Sequence, residues 1–317
     1  MRLFLMLLFL FHNPGVMAFE LIAHRGASGY LPEHTKEAAV LAYFQGANFI
    51  EQDLVVSKDN VLVVLHDIHL ENVTNVESMF PERKRKDGRF YVVDFTLEEL
   101  RKLSVHERTT SDGEKLFKNR YEGNGHFSIV TFEEQIELIA ELNRQFNSNV
   151  GLFPELKAPE FHKSEGKDIA KLTIDLLDKY NLNEKDSNIY VQCFHGSTLI
   201  RIREEFKSSV RLVQLIGENN WSNSTMDFNE MRTAEGISRV SNYANGIGPR
   251  IQHVLSENGS PTPLVKFANA QNLIIYPYTF RTDATTYGLP PETLYRKLRE
   301  IEIDGMFTDH IMTFMQP

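Results

Sequence analysis

The sequence predicts a (β/α)8 barrel of the TIM type, an α/β fold, carrying an inserted subdomain. Three observations predict it. Short apolar runs alternate with amphipathic helical stretches along most of the chain, which implies parallel β-α units. One run follows its predecessor too closely for a crossover helix to fit between them. Residues 70–128 break the alternation altogether. A chain of 317 residues with 42% hydrophobic content has ample material for one such core.

The predicted strands are 20–24, 48–55, 61–66, 150–157, 188–194, 211–216, 246–251, 273–279 and 305–308. An eightfold barrel needs one fewer. The extra strand is 61–66, because residues 57–60 are a turn and Asp59-Asn60 is a turn signal. It pairs back on 48–55 as a hairpin, and the others make the barrel. Before the fourth strand, Thr131 and Glu134 form a capping box, and Ile136, Ile139, Ala140 and Leu142 line one helix face. Stretches 167–180, 197–206, 229–243, 262–270 and 292–301 show the same helical spacing. Stretch 70–128 is charged and aromatic, with Asp87-Gly88 and Gly123-Asn124-Gly125. It reads as an insertion at a strand end, placed beside the barrel's functional face as a lid or partner surface.

Residues 1–18 have the form of a secretory signal: Met1-Arg2, an apolar run over 3–11, then Val16-Met17-Ala18. The run is too short to span a bilayer, and cleavage is expected after Ala18. The chain is therefore expected to be exported, as a barrel over 19–317. No later run reaches transmembrane length, so no stable membrane insertion is expected. Cys193 is the sole cysteine and lies in an apolar strand pattern, so it reads as a buried small hydrophobe. Net charge is -9, and the basic block Arg83-Lys84-Arg85-Lys86 is flanked by acidic residues. That balance argues against nucleic acid as the main partner.

The chemistry-bearing residues sit at strand ends. Glu51 and Asp53 are two apart on a strand, so both point inward. Glu155 and Lys157 end the next barrel strand with the same spacing. Three converging carboxylates suit a hard divalent cation, Ca2+ or Mg2+. The competing reading pairs Glu51 with Arg25 or Lys157 and needs no metal. His24 and His66 each end an apolar run and precede a loop. Two histidines let one take a proton from a nucleophile while the other gives one to a leaving oxygen. A metal-ligand role for them is the rival. Arg25 and Lys157 can hold phosphate oxygens. Asp67 either orients a ring or caps a loop, and His195 is unassigned.

Taken together, these stretches resemble the glycerophosphodiester phosphodiesterases of the bacterial periplasmic type. The matching motifs are the run from His24-Arg25-Gly26-Ala27-Ser28 to His34-Thr35, Glu51-Gln52-Asp53-Leu54, Val64-Leu65-His66-Asp67 and Pro154-Glu155-Leu156-Lys157. Val191-Gln192-Cys193-Phe194, Gly246-Ile247-Gly248-Pro249, Pro277-Tyr278-Thr279-Phe280-Arg281 and Phe307-Thr308-Asp309 match as well. The resemblance covers essentially the whole mature chain. It implies a barrel of the phospholipase-C-like phosphodiesterase superfamily that hydrolyses glycerophosphodiesters to an alcohol and sn-glycerol 3-phosphate. It implies an acid-base pair in His24 and His66. Glu51, Asp53 and Glu155 become ligands of a divalent ion, usually Ca2+. Arg25 and Lys157 hold phosphate, and Gln192 and Tyr278 face the substrate. It further implies a periplasmic location and is compatible with a homodimer. Asp309-His310-Ile311 and His195 depart from the family's usual residues, which bears on loop geometry and pocket charge.

The expected mechanism has the substrate's neighbouring hydroxyl attack phosphorus, one histidine accepting its proton and the other protonating the leaving alcohol. Water then opens the cyclic phosphate. Direct attack by water is the alternative. Other functions in view are a phospholipase C- or D-like phosphodiesterase on the same barrel, and a non-enzymatic surface binding protein.

Overall fold

Alternating apolar sequence folds here into strands β1 (Glu20–Ala23), β2 (Phe49–Val56), β3 (Leu62–Val64), β4 (Gly151–Leu156), β5 (Tyr190–Cys193), β6 (Arg211–Ile216), β7 (Gly246–Pro249), β8 (Ile274–Ile275) and β9 (Gly305–Thr308). The computed structural model describes residues 19–221, 226–284 and 288–314; the expected leader, 1–18, lies outside them. Parallel neighbours run in the order β8-β7-β6-β5-β4-β2-β1-β9. The ring nearly closes where the Asp304 amide donates to the Ile275 carbonyl at 3.2 Å and the Phe307 amide to that of Pro277 at 3.0 Å.

β3 stands outside the ring. It pairs antiparallel with β2, Val63 opposite Val55, as the short 57–60 link requires. Asn60 takes the positive φ of the turn, +65°, and the Ser57 hydroxyl accepts the Val61 amide at 2.9 Å. The strand ends at Val64, earlier than the expected 66, so His66 lies in the loop beyond it. Two further expectations are corrected. The strand expected over 273–279 is regular only at Ile274–Ile275; beyond it the Tyr276 and Tyr278 amides still donate to the Ile247 and Pro249 carbonyls, while Pro277 has no N–H to donate. The helix expected over 229–243 is two helices, Phe228–Met231 and Ala234–Val240. Thr233 caps the second, its hydroxyl accepting the Gly236 amide. The turn between them folds so tightly that a Cβ on Gly236 would lie 2.3 Å from the Glu230 carbonyl oxygen. The capping box at Thr131 and Glu134 is present and starts the helix Phe132–Phe146.

Inside the ring, Ile22, Phe49, Phe153, Tyr190, Val213, Tyr276 and Phe307 form one apolar cluster. Phe153 is its hub, stacked on Tyr190 at 5.0 Å and edge-on to Phe307 at 5.1 Å. Two residues further along the same strands come His24, Glu51, Glu155, Gln192, Leu215, Tyr278 and Asp309. Strand periodicity therefore puts the polar set directly above an aromatic floor.

Between β3 and the helix Phe132–Phe146 no barrel strand occurs. That segment has an apolar cluster of its own, including Leu70, Val76, Phe90, Phe95, Leu103 and Phe127. The cluster packs on Val55, Val63 and Leu65, so the outer face of the hairpin is its foundation.

Candidate active site

The two histidines are built alike. Register places Ala23 beside Thr308, so the residues that follow, His24 and Asp309, meet at the barrel's C-terminal end. His24 Nδ1 lies 2.6 Å from Asp309 Oδ1. His66 Nδ1 lies 2.6 Å from Oδ1 of its neighbour Asp67. A carboxylate only accepts, so each Nδ1 carries the hydrogen and each Nε2 is left as the proton acceptor. Burial and then the Arg25 guanidinium pull His24 down to about 4, against the Asp309 carboxylate. Burial, Arg25 and Lys157 pull His66 down to about 3. Both rings are neutral near pH 7 and able to take a proton.

The carboxylates crowd between them. β2 and β4 set Asp53 beside Glu155, and Glu51 projects one inward step below Asp53. Glu51 Oε2 accepts the Arg25 backbone amide at 2.7 Å. Asp53 Oδ2 meets His34 Nε2 at 2.7 Å, with Arg25 Nε at 3.4 Å and Lys157 Nζ 3.3 Å from its other oxygen. Glu155 Oε1 accepts from Lys157 Nζ at 2.6 Å. Burial, then Asp53 and Glu155, push the Glu51 carboxyl well above its ordinary range. Burial raises Glu155 to about 7, with Asp53 adding to the rise and Lys157 opposing it. Asp53 goes the other way, because Lys157, His66 and His34 outweigh its burial.

Such a cluster is short of positive charge. Arg25 also serves Glu33, through NH1 at 2.9 Å, so it does not fully balance Glu51 and Asp53. Among the described residues, His34, Glu51 and Asp53 offer ligand atoms within 4.8 Å of one another, and His34 Nδ1 is buried with no hydrogen-bond partner. This group could hold a metal ion, and its mainly oxygen donors fit a hard one.

A cavity of about 780 Å3 opens over these groups, lined by His24, Arg25, Glu51, His66, Glu155, Lys157, Gln192 and Tyr278, among others. The residues given catalytic, metal or substrate roles from the sequence all line it except Asp53. The Gln192 amide donates to the Phe153 carbonyl at 3.4 Å, while its Oε1 is buried without a partner. The Tyr278 hydroxyl donates to the Ile216 carbonyl at 3.0 Å, so the ring rather than the hydroxyl is presented. Phe194, Trp221 and Arg250 also line it. Cys193 is buried, its thiol pushed up by burial to about 12. Asp67 orients a ring, and His195 lines a smaller adjoining cavity. Sequence reasoning missed His34, Glu33, Arg108 and Arg120. The first two had a signal, since both stand in the strand-to-helix loop that begins at His24.

Comparison with known proteins accords with this geometry. The pattern of the glycerophosphoryl diester phosphodiesterase family matches residues 24–313. A glycerophosphodiester phosphodiesterase of Haemophilus influenzae is 40% identical over 288 residues, spanning 83% of this chain and 79% of its own. One of Treponema pallidum is 35% identical over 268 residues, spanning 78% and 75%. Among solved structures, an Oleispira antarctica phosphodiesterase in complex with the product sn-glycerol-3-phosphate superposes with a TM-score of 0.64. It shares 19% identity and covers 93% of this chain and 95% of its own, a likeness of fold.

Proposed function

The chain belongs to the glycerophosphoryl diester phosphodiesterase family, and from that premise we propose how its residues divide the work of hydrolysing a glycerophosphodiester to an alcohol and sn-glycerol 3-phosphate. The carrying observation is the pair of histidine–aspartate contacts, each leaving a neutral Nε2 at one cavity. One ring takes the proton of the attacking hydroxyl. The other, once protonated, hands a proton to the leaving alcohol. In the second half, water opens the cyclic phosphate with the roles exchanged. Arg25 and Lys157, the cations beside the carboxylates, attract the phosphodiester and offset charge on its oxygens. Gln192, with an unpartnered buried Oε1, accepts from a glycerol hydroxyl. Glu51, Asp53 and Glu155, with His34 alongside, would hold a hard divalent cation (Ca2+ first, Mg2+ second), which would supply acidity to the attacking hydroxyl and offset phosphoryl charge. No described helix is long and apolar enough to cross a membrane. The leader over 1–18 routes the chain to the periplasm.

Purified protein is expected to release sn-glycerol 3-phosphate from glycerophosphocholine and to lose that activity to a chelator. His24→Ala and His66→Ala should each cost at least ~10²-fold in rate. Chelator-resistant turnover would remove the cation from the scheme. Full activity in either variant would remove that histidine.

A further inference from the structure

We propose that the segment between β3 and the helix Phe132–Phe146 takes part in the chemistry: through Arg108 and Arg120 it holds both histidines in working orientation. The inference rests on the reading of His24 and His66 as the acid-base pair.

The same arrangement occurs twice. Asp67 gives Oδ1 to His66 and Oδ2 to Arg108 NH1, at 2.6 Å each. Asp309 gives Oδ1 to His24 and Oδ2 to Arg120 NH2, also at 2.6 Å each. A carboxylate gripped at both oxygens cannot rotate, so the ring it faces is fixed in tautomer and direction. Both arginines are buried, their side chains 9% and 3% exposed, and both are anchored behind. Arg108 holds Glu33 through Nε at 3.0 Å and NH2 at 2.6 Å. Arg120 holds Asp283 through Nε at 2.8 Å and the Ser28 carbonyl through NH1 at 3.2 Å, beneath the Phe117 ring. One difference ranks them. Asp309 also receives Arg281 Nε, at 2.7 Å, from the barrel side. Among the described residues Asp67 has no second arginine contact, so losing Arg108 should matter more. A segment serving only to stabilise loops would not need its two buried arginines on these two carboxylates. They are positioning residues, since neither contacts a reacting atom directly.

The test uses the full chain with Ca2+ present and glycerophosphocholine as substrate. Arg108→Gln and Arg120→Gln are expected to lower kcat by about 10- to 100-fold, Arg108→Gln more, with KM close to wild type. Added guanidinium should restore part of the kcat of Arg108→Ala and Arg120→Ala. Lysine keeps charge but cannot fork between two carboxylates, so Arg108→Lys should keep the melting temperature and still lose kcat. Wild-type kcat in Arg108→Gln and Arg120→Gln, or Arg108→Lys that melts early with kcat intact, would overturn the proposal. His24→Ala or His66→Ala at full activity would instead sink the reading beneath it, so the two failures are distinguishable.

Discussion

Glu107 sits beside this arginine network. Its Oε2 is buried with no hydrogen-bond partner, and burial, with Glu33 adding to it and Arg120 opposing, lifts its carboxyl to about 7. The sign follows from linkage. In the unfolded chain the group ionises near its ordinary value of 4.5, while the folded protein keeps the proton until about 7. Below 4.5 its contribution to stability is present in full; it drains away as pH rises to 7 and is gone above. Glu107→Gln mimics the protonated form and has nothing to lose. Urea unfolding of both proteins at about pH 5 and about pH 8 should show the variant gaining on wild type at the higher pH. Parallel changes in the two proteins would show that Glu107 does not hold its proton. Other titrating groups are common to both and cancel in the difference.

At the scale of elements, the loop from β1 to the helix Lys36–Phe44 carries the most constraint. Arg25 and Gly26 both take positive φ, +60° and +76°. That turn aims the Arg25 amide at Glu51 and lays Gly26 on the helix start, where a Cβ would lie 2.8 Å from the Ala38 carbonyl carbon. Gly26→Ala should therefore cost at least ~1 kcal/mol from the left-handed backbone, with the clash in addition. A denaturation midpoint unchanged from wild type would contradict this. Elements of this kind divide what could be read in the sequence from what could not. Strand alternation has a period of two, so the inward placement of Glu51, Asp53, Glu155 and Lys157 was legible from their spacing alone. The hairpin was legible from four residues of turn. The partners of the histidines were not. Asp309 meets His24 across 285 positions, and Arg120 meets Asp309 across 189. Periodicity says which face a side chain occupies, not what arrives opposite. Arg108 and Arg120 also sit in a segment with no helical or strand period to read. His34 is a milder case. Its neighbour Thr35 is a legible helix cap, yet His34 itself turns to Asp53 from a left-handed φ of +63°.

For the whole molecule, the barrel keeps its least comfortable residues at the top of an otherwise well-filled core. An aromatic floor of Phe49, Phe153, Tyr190 and Tyr276 lies under Glu51, Asp53 and Glu155, and dry surroundings magnify the repulsion among carboxylates. Burial, with Asp53 and Glu155 beside it, holds the Glu51 carboxyl well above its ordinary range, which disfavours its charge when no cation is bound. Stability and cation binding are then two sides of one arrangement, since anything that neutralises the cluster favours the folded chain. A cation that binds only the folded state, at a hundredfold excess over its Kd, stabilises by about 2.7 kcal/mol, or several degrees in Tm for a chain of this size. Glu51→Gln separates the two effects. The amide resembles the protonated acid and can still accept the Arg25 amide, so the variant should melt at or above wild type when stripped of metal. It should gain little from added Ca2+, because a ligand oxygen with its charge has gone. Scanning calorimetry with chelator and with Ca2+ measures both. A Glu51→Gln protein that melts below stripped wild type, or rises as far with Ca2+, would mean that Glu51 serves the fold rather than the ion.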